Sequence, residues 1–363
     1  MFIFLMHDAR EITIKQALGL RSRDFGVLVW GGKGQTVFTC IMSGSSDLLK
    51  DVKHSVQMEK SSKCRTIMWS VPRSVSTALT KCIAAGAPAD SSVWFEPFCY
   101  SRAISIIASA KHNLSLPLDY DGNEKIFEQA ASAIGDMMSC KVHPEHLTYG
   151  SLKQLLEKDA SPCVFVKDLA QAMNKDKIQY LPQGYKYVFL IRHPLRVFYS
   201  FRKVAYANSA KFEGDCKATM AEEEYDIERD YVMFDRAGLY FRGIHETWKY
   251  VKDNLNSEPV VIDGDDLLAR PAEMLPKICE AIGIPYSESM LHWNPSTDIV
   301  KKWVHPADGL LDELMYIYDR ALTSSEFAPA NPMPRRDQVT QDVIRLTDQV
   351  IKYYEEMYET RMK

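Results

Sequence analysis

From Cys64 onward, short unbroken apolar runs alternate with longer stretches of helical periodicity. Thr66-Ile67-Met68-Trp69-Ser70, Val93-Trp94-Phe95, Cys163-Val164-Phe165-Val166, Tyr187-Val188-Phe189-Leu190-Ile191 and Pro259-Val260-Val261-Ile262 read as five strands. A strand covered on both faces has no polar side to show, so continuous apolar runs point to a parallel sheet. Helical patterns fall between them: from Ala78 to Ala85, stopped by Gly86, then at about 124–138, 195–208, 236–255 and 271–282. A long amphipathic helix is predicted from Gln338 to Tyr358. This alternation predicts an α/β fold of three layers, helices on both faces of a central parallel sheet.

Residues 1–62 follow another pattern. Gly26–Trp30 and Thr36–Cys40 read as two short strands around Gly31-Gly32-Lys33-Gly34, and polar residues run from Ser43 to Ser62. The expected organisation is an N-terminal extension with linker over 1–62 and one domain over 63–363. The glycine cluster superficially resembles a phosphate loop, but strands flank it on both sides, so a hairpin turn is expected. Residues 209–235 are acidic and irregular, which predicts a surface insertion. Segments 98–125 and 205–235 are expected to be the variable loops that shape any acceptor pocket.

Composition narrows the function classes. Hydrophobic residues make up 46% and charged residues 25%, as in ordinary globular chains. The net charge of −4 gives no global electrostatic case for nucleic acid. None of the eight cysteines forms a C-x-x-C pair, so buried free thiols in a reducing compartment are expected rather than zinc. Met1–Met6 is apolar but short and lacks a basic flank, which argues against a signal peptide. With no apolar run long enough to span a membrane, the expected location is cytoplasmic.

Two segments carry candidate chemistry. Val71-Pro72-Arg73-Ser74-Val75-Ser76-Thr77 joins the first buried strand to a helix start. Such a loop binds anions through free N–H groups and the helix dipole, and Arg73, Ser74, Ser76 and Thr77 add donors. The plainer structural reading is a helix capped by a serine or threonine, which would not require the arginine. The loop lacks the glycines and the Gly-Lys-(Ser/Thr) of a Walker A motif. The second segment runs from Leu190-Ile191-Arg192-His193-Pro194 to Ser200. Arg192 ends an apolar strand at the edge where open α/β sheets bind ligands. Ser200 lies two helical turns on, so the pair could grip one anion from two sides. Arg196 and Arg202 read as solvated helix-face charges. Lys167 and Asp168 read as the end of the third strand, with Lys167 balancing charge or facing substrate.

Together the two segments resemble the sulfotransferase family, whose donor is 3′-phosphoadenosine 5′-phosphosulfate. In that family a loop of form Pro-(Lys/Arg)-Ser-x-(Ser/Thr)-Thr holds the 5′-phosphosulfate, and a later Arg-x7-Ser pair holds the 3′-phosphate. Val261-Ile262-Asp263-Gly264-Asp265-Asp266-Leu267-Leu268-Ala269-Arg270-Pro271, Ile282-Gly283-Ile284-Pro285 and Leu291-His292-Trp293 are similar to a later stretch of many members. The resemblance covers about 64–358 and implies a P-loop NTPase-like fold. It implies sulfuryl transfer to a hydroxyl or amine of a small-molecule acceptor, without a metal. It places Arg73, Ser74, Val75, Ser76, Thr77, Arg192 and Ser200 on the donor, with Arg73 stabilising the leaving phosphate. Glu96 stands where some branches keep a glutamate base, with His143 and His146 as rivals. The late Gly-x-x-Gly-Asp-Trp-Lys stretch of cytosolic members is absent; Arg335-Arg336 is the nearest alternative source of positive charge. Two other readings stay open: a P-loop nucleotide kinase or NTPase, and a catalytically silent nucleotide-binding protein. The acceptor and the oligomeric state are not legible.

Overall fold

The computed structural model describes residues 27–29, 39–41, 64–212, 220–231, 236–255, 258–309 and 317–363. The chain divides into two compact units, Met1–Ser61 and Ser62–Lys363. In the first, β1 (Val27–Val29) pairs antiparallel with β2 (Thr39–Ile41), Val27 opposite Ile41. The glycine turn expected between them lies outside the described residues.

The second unit is built on five strands: β3 (Cys64–Ser70), β4 (Ser92–Phe95), β5 (Cys163–Leu169), β6 (Lys186–Ile191) and β7 (Val260–Asp263). All pair in parallel, in the order β4-β5-β3-β6-β7. Alternation along each strand splits the core into two. Met68, Phe95, Phe165, Val188 and Ile262 pack on one face with α1 (Ser76–Gly86), α2 (Pro97–His112), α3 (Glu124–Met138) and α8 (Pro271–Ile282). Ile67, Trp69, Val166, Phe189 and Val261 pack on the other. Their partners are α4 (Tyr149–Lys158), α5 (Pro194–Phe212), α6 (Leu239–Asn254) and α9 (Gln341–Glu359). The result is the three-layer α/β/α arrangement that the apolar runs predict.

The strand order decides where a ligand can sit. From β3 the chain crosses to β4 and returns to β5 beside it, then moves to the opposite neighbour, β6. The connections therefore diverge at the carboxyl end of β3, which opens a crevice there. The loop 71–75, the β6–α5 turn and the β7–α7 turn, where α7 spans Gly264–Ala269, all emerge on that edge.

Three elements depart from the sequence reading. Residues 98–112, expected within a variable loop, belong to α2; Pro97 at its first turn and Lys111 and His112 at its last are the helix signals. Its buried Phe98, Tyr100, Ala103, Ile104 and Ala108 are separated by serines, which weakened the apolar periodicity. The helix α4 was likewise unforeseen. The third strand runs through Lys167 and Asp168 instead of ending at them, because Met68 and Trp69 of β3 pair with both.

Candidate active site

The strand β3 is buried to its last residue, and the chain then turns sharply through Val71–Val75 into α1. Two residues of this turn take left-handed backbone conformations, Arg73 at φ 62° and Val75 at φ 76°. A β-branched residue there is strained; each such residue costs about 1–3 kcal/mol and persists only where the surroundings enforce it. Val75 is the N-cap of α1, and no side chain caps the helix. The serine or threonine cap considered from sequence is therefore absent. Ser74 turns its hydroxyl inward and donates to the Val71 carbonyl at 2.7 Å. Ser74, Ser76 and Thr77 are all buried. One reason the turn keeps its shape is Gly264, at the start of α7. A Cβ on Gly264 would stand 2.8 Å from the Ser74 carbonyl oxygen and 3.5 Å from Val75 Cγ2.

Around this turn the positive charge converges. Arg73 Nε donates to Ser200 Oγ at 3.1 Å, and Arg73 Nη1 to the Ile317 carbonyl at 3.0 Å. Arg192 Nη1 donates to the Arg73 carbonyl at 3.3 Å and Arg192 Nε to Asp265 Oδ1 at 2.9 Å. Asp263 fixes that carboxylate by accepting the N–H groups of Asp265 and Asp266 and so capping α7. Arg73, Arg192 and Ser200 thus meet at one place, although Ser200 holds Arg73 and not Arg192. Burial, with the positive charges of Arg192 and Arg320, holds the Arg73 guanidinium below its ordinary pKa. Its described hydrogen-bond partners are both neutral, whereas Arg192 is paired with the Asp265 carboxylate.

A second cluster forms where β4 and β5 end. Glu96, 2% exposed, sits in a left-handed conformation at φ 54° between β4 and α2. Its N–H donates to the Lys167 carbonyl at 2.6 Å. Its Oε1 pairs with the buried Lys167 ammonium, and its Oε2 accepts from the Tyr318 hydroxyl at 2.9 Å. Beside it, Asp168 accepts from the N–H groups of Phe98, Cys99 and Leu169 and so anchors the start of α2. Burial, helped by the Glu96 charge, pushes the Asp168 carboxyl up to about 8. The same two causes hold the Tyr318 hydroxyl far above its usual range. The clusters are joined by neighbouring residues: Ile317 takes Arg73, and Tyr318 takes Glu96.

Other candidates lie elsewhere. Arg202, read as solvated, is 6% exposed; it pairs with Asp342 at 3.3 Å and donates to the Tyr225 carbonyl at 2.7 Å, tying α5 to α9. Arg196 is not solvated either, since it pairs with Asp265 at 2.9 Å. An arginine's long stem passes as amphipathic in sequence, and only packing shows its head buried. His143 pairs with Asp308 at 2.9 Å, and His146 contacts the His305 carbonyl at 3.1 Å. Arg335 and Arg336 are exposed and pair with Asp337 and Asp348. Sequence reasoning missed Tyr318 and Asp265 as site residues. Asp265 was visible only as part of the Asp263-Gly264-Asp265-Asp266 resemblance, and Tyr318 carried no local signal. Among the described residues no group of three or more His, Cys, Asp or Glu is arranged to hold a metal ion, and no helix is long and apolar enough to cross a membrane.

Comparison with known proteins addresses the family. Residues 251–360, from the end of α6 through α9, match the family model described as a sulfotransferase domain. That stretch of the chain is similar to a sulfotransferase domain. Gly264, Asp265 and Tyr318 lie inside the matched stretch; Arg73, Glu96, Arg192 and Ser200 lie before it. No curated protein sequence matches the chain. Among solved structures, a sulfotransferase domain from the curacin biosynthetic pathway is 16% identical, over 79% of this chain and 97% of that one, with a TM-score of 0.37. The sulfotransferase domain of the Synechococcus PCC 7002 olefin synthase is 15% identical, over 78% and 93%, with a TM-score of 0.34. A sulfotransferase from Alicyclobacillus acidocaldarius is 12% identical, over 71% and 92%, with a TM-score of 0.33.

Proposed function

We propose that the chain moves a sulfuryl group from 3′-phosphoadenosine 5′-phosphosulfate to a hydroxyl or amine of a small-molecule acceptor. The observation that carries this reading is the meeting of Arg73, Arg192 and Ser200 at the strained loop 71–75, on the carboxyl edge of β3. Arg73, a cation with neutral partners beside a second arginine, gains from an incoming anion, and a donor with two separated anionic ends fits two arginines on two turns. In this reading the 5′-phosphosulfate lies against Arg73 and the Ser74–Thr77 start of α1. The 3′-phosphate takes Arg192 and Ser200 as those groups exchange their present partners.

The sulfur–oxygen bond to the donor phosphate breaks as a bond forms from sulfur to the acceptor oxygen or nitrogen. Negative charge grows on the departing phosphate, where Arg73 and the N–H groups of α1 stabilise it. Arginine cannot give up a proton at neutral pH, so its part is electrostatic. The acceptor proton passes to Glu96. With Lys167 on one oxygen and Tyr318 on the other, that carboxylate still has lone pairs free to receive it.

The test is a comparison of ligands on the full chain. Thermal shift and calorimetric titration should show tight binding of 3′-phosphoadenosine 5′-phosphate, weaker binding of adenosine 5′-phosphosulfate, and no preference for ATP with magnesium. Transfer of label from the sulfonate donor to one member of a panel of alcohols, phenols and amines should follow. Preferential binding of ATP–magnesium would reject the reading in favour of a nucleotide kinase or NTPase. Donor binding without turnover on any acceptor would favour a silent nucleotide-binding protein.

A further inference from the structure

We propose that Tyr318 is a positioning residue for the base, acting on the acceptor side through Glu96; this deepens the function proposed above and rests on it. Three observations converge. The Tyr318 hydroxyl donates to Glu96 Oε2 at 2.9 Å, while Lys167 takes Oε1. The Tyr318 ring stands edge-on to Phe95, centroids 5.3 Å apart, and Phe95 itself stacks on Trp303 at 5.0 Å. The Tyr100 hydroxyl lies 3.4 Å from that of Tyr318. The phenol is therefore held by its ring and aimed at its far end, so the carboxylate cannot swing about its terminal torsion.

That torsion is the point at issue. A glutamate's last torsion is broad and roughly two-fold, so a carboxylate held on one oxygen alone can rotate. Two donors on different oxygens fix the carboxylate plane and leave one lone-pair direction per oxygen for an incoming proton. A hydrogen bond to an ionised group also stabilises its charge where water is scarce. Tyr318 neither receives the proton nor touches the donor in this arrangement. Because Ile317, its neighbour, caps Arg73, the same backbone segment sets both the leaving-group cation and the base.

The experiment uses Tyr318→Phe in the full chain, which removes one oxygen and keeps the ring on Phe95. Loss of a hydrogen bond to a charged group corresponds to a roughly 10–100-fold fall in kcat. Acceptor KM and affinity for 3′-phosphoadenosine 5′-phosphate should stay within about twofold. A merely structural tyrosine would lower melting temperature and leave the rate per folded molecule unchanged, and that outcome overturns the proposal. A cycle with Glu96→Gln separates the failures. If Glu96→Gln alone leaves kcat intact, the base assignment falls and Tyr318 with it. If Glu96→Gln slows turnover but Tyr318→Phe does not, only the positioning role falls. In support, Tyr318→Phe should add nothing to the loss already caused by Glu96→Gln, since it acts through that carboxylate. Should Tyr318→Phe fail to fold, Tyr100→Phe serves as the milder probe. It removes only the outer hydroxyl, and the proposal expects a smaller kcat loss, again absent in the Glu96→Gln background; a loss that persists there would overturn it.

Discussion

Replacing Glu96 by glutamine tests the ion pair and the chemistry at once, and the structure separates the two effects. Glu96 and Lys167 have side chains only 3% and 1% exposed. Glutamine keeps the shape and one carbonyl acceptor but removes the charge, which leaves the Lys167 ammonium buried against a neutral partner. Removing one member of such a pair costs about 3–5 kcal/mol. For a domain the size of Ser62–Lys363, that is a melting-temperature drop of roughly 5–8 °C. Part of the charge is recovered from the Phe95 ring, whose centroid lies 4.6 Å from the ammonium, so the lower half of the range is expected. The rate per folded molecule should fall by about 10²–10⁴-fold if Glu96 takes the acceptor proton. A second substitution, Lys167→Met, removes the orphaned charge. The double variant should recover stability to within about 1 kcal/mol of the parent, because neutral replacement of a buried pair is often cost-free, while turnover stays low. Calorimetric melting and single-turnover transfer of label, on the same preparations, read both quantities. A Glu96→Gln protein with parental melting temperature would refute the ion-pair argument, and one with parental kcat would remove Glu96 from the chemistry.

Four further outcomes follow from the structure. Arg192→Ala should weaken binding of 3′-phosphoadenosine 5′-phosphate by about 2–4 kcal/mol in calorimetric titration and shrink the preference over adenosine 5′-phosphosulfate. Asp265→Asn should tighten binding instead, since Asp265 now competes for both Arg192 and Arg196; equal binding by parent and Asp265→Asn would show that the carboxylate does not compete. Gly264→Ala would push a methyl against the Ser74 carbonyl 2.8 Å away, and should reduce donor affinity more than melting temperature; an unchanged dissociation constant would show that the loop yields. Burial lowers the His305 imidazole to about 4, below the unfolded value near 6.5. The unfolded chain then binds more protons between those two values, so this residue's contribution to stability is full above pH 6.5 and is lost as pH falls towards 4. Urea unfolding across that window should be steeper in pH for the parent than for His305→Phe, and equal slopes would exclude His305 as the cause.

How much of this was legible beforehand can be argued residue by residue. The five strands were readable because each is buried on both faces, and a strand such as Val188–Ile191 then has no polar alternation to confuse it. The loop at Arg73–Thr77 and the Arg192–Ser200 spacing were readable because each is local: a strand end, a turn and a helix start stand next to one another in the chain. Local sequence therefore determined the layers and the loop. Tertiary structure alone decided the rest. Which strands flank β3 is a matter of pairing across the sheet, and no single run of residues encodes it. Ser200 meets Arg73 and not Arg192, a choice made by the side-chain directions in the folded chain. Tyr318 reaches Glu96 across 222 positions of chain, a contact only a folded core can make. The buried Arg202 looked like a surface charge, since a chain shows a residue's type and not the neighbours that take it out of water.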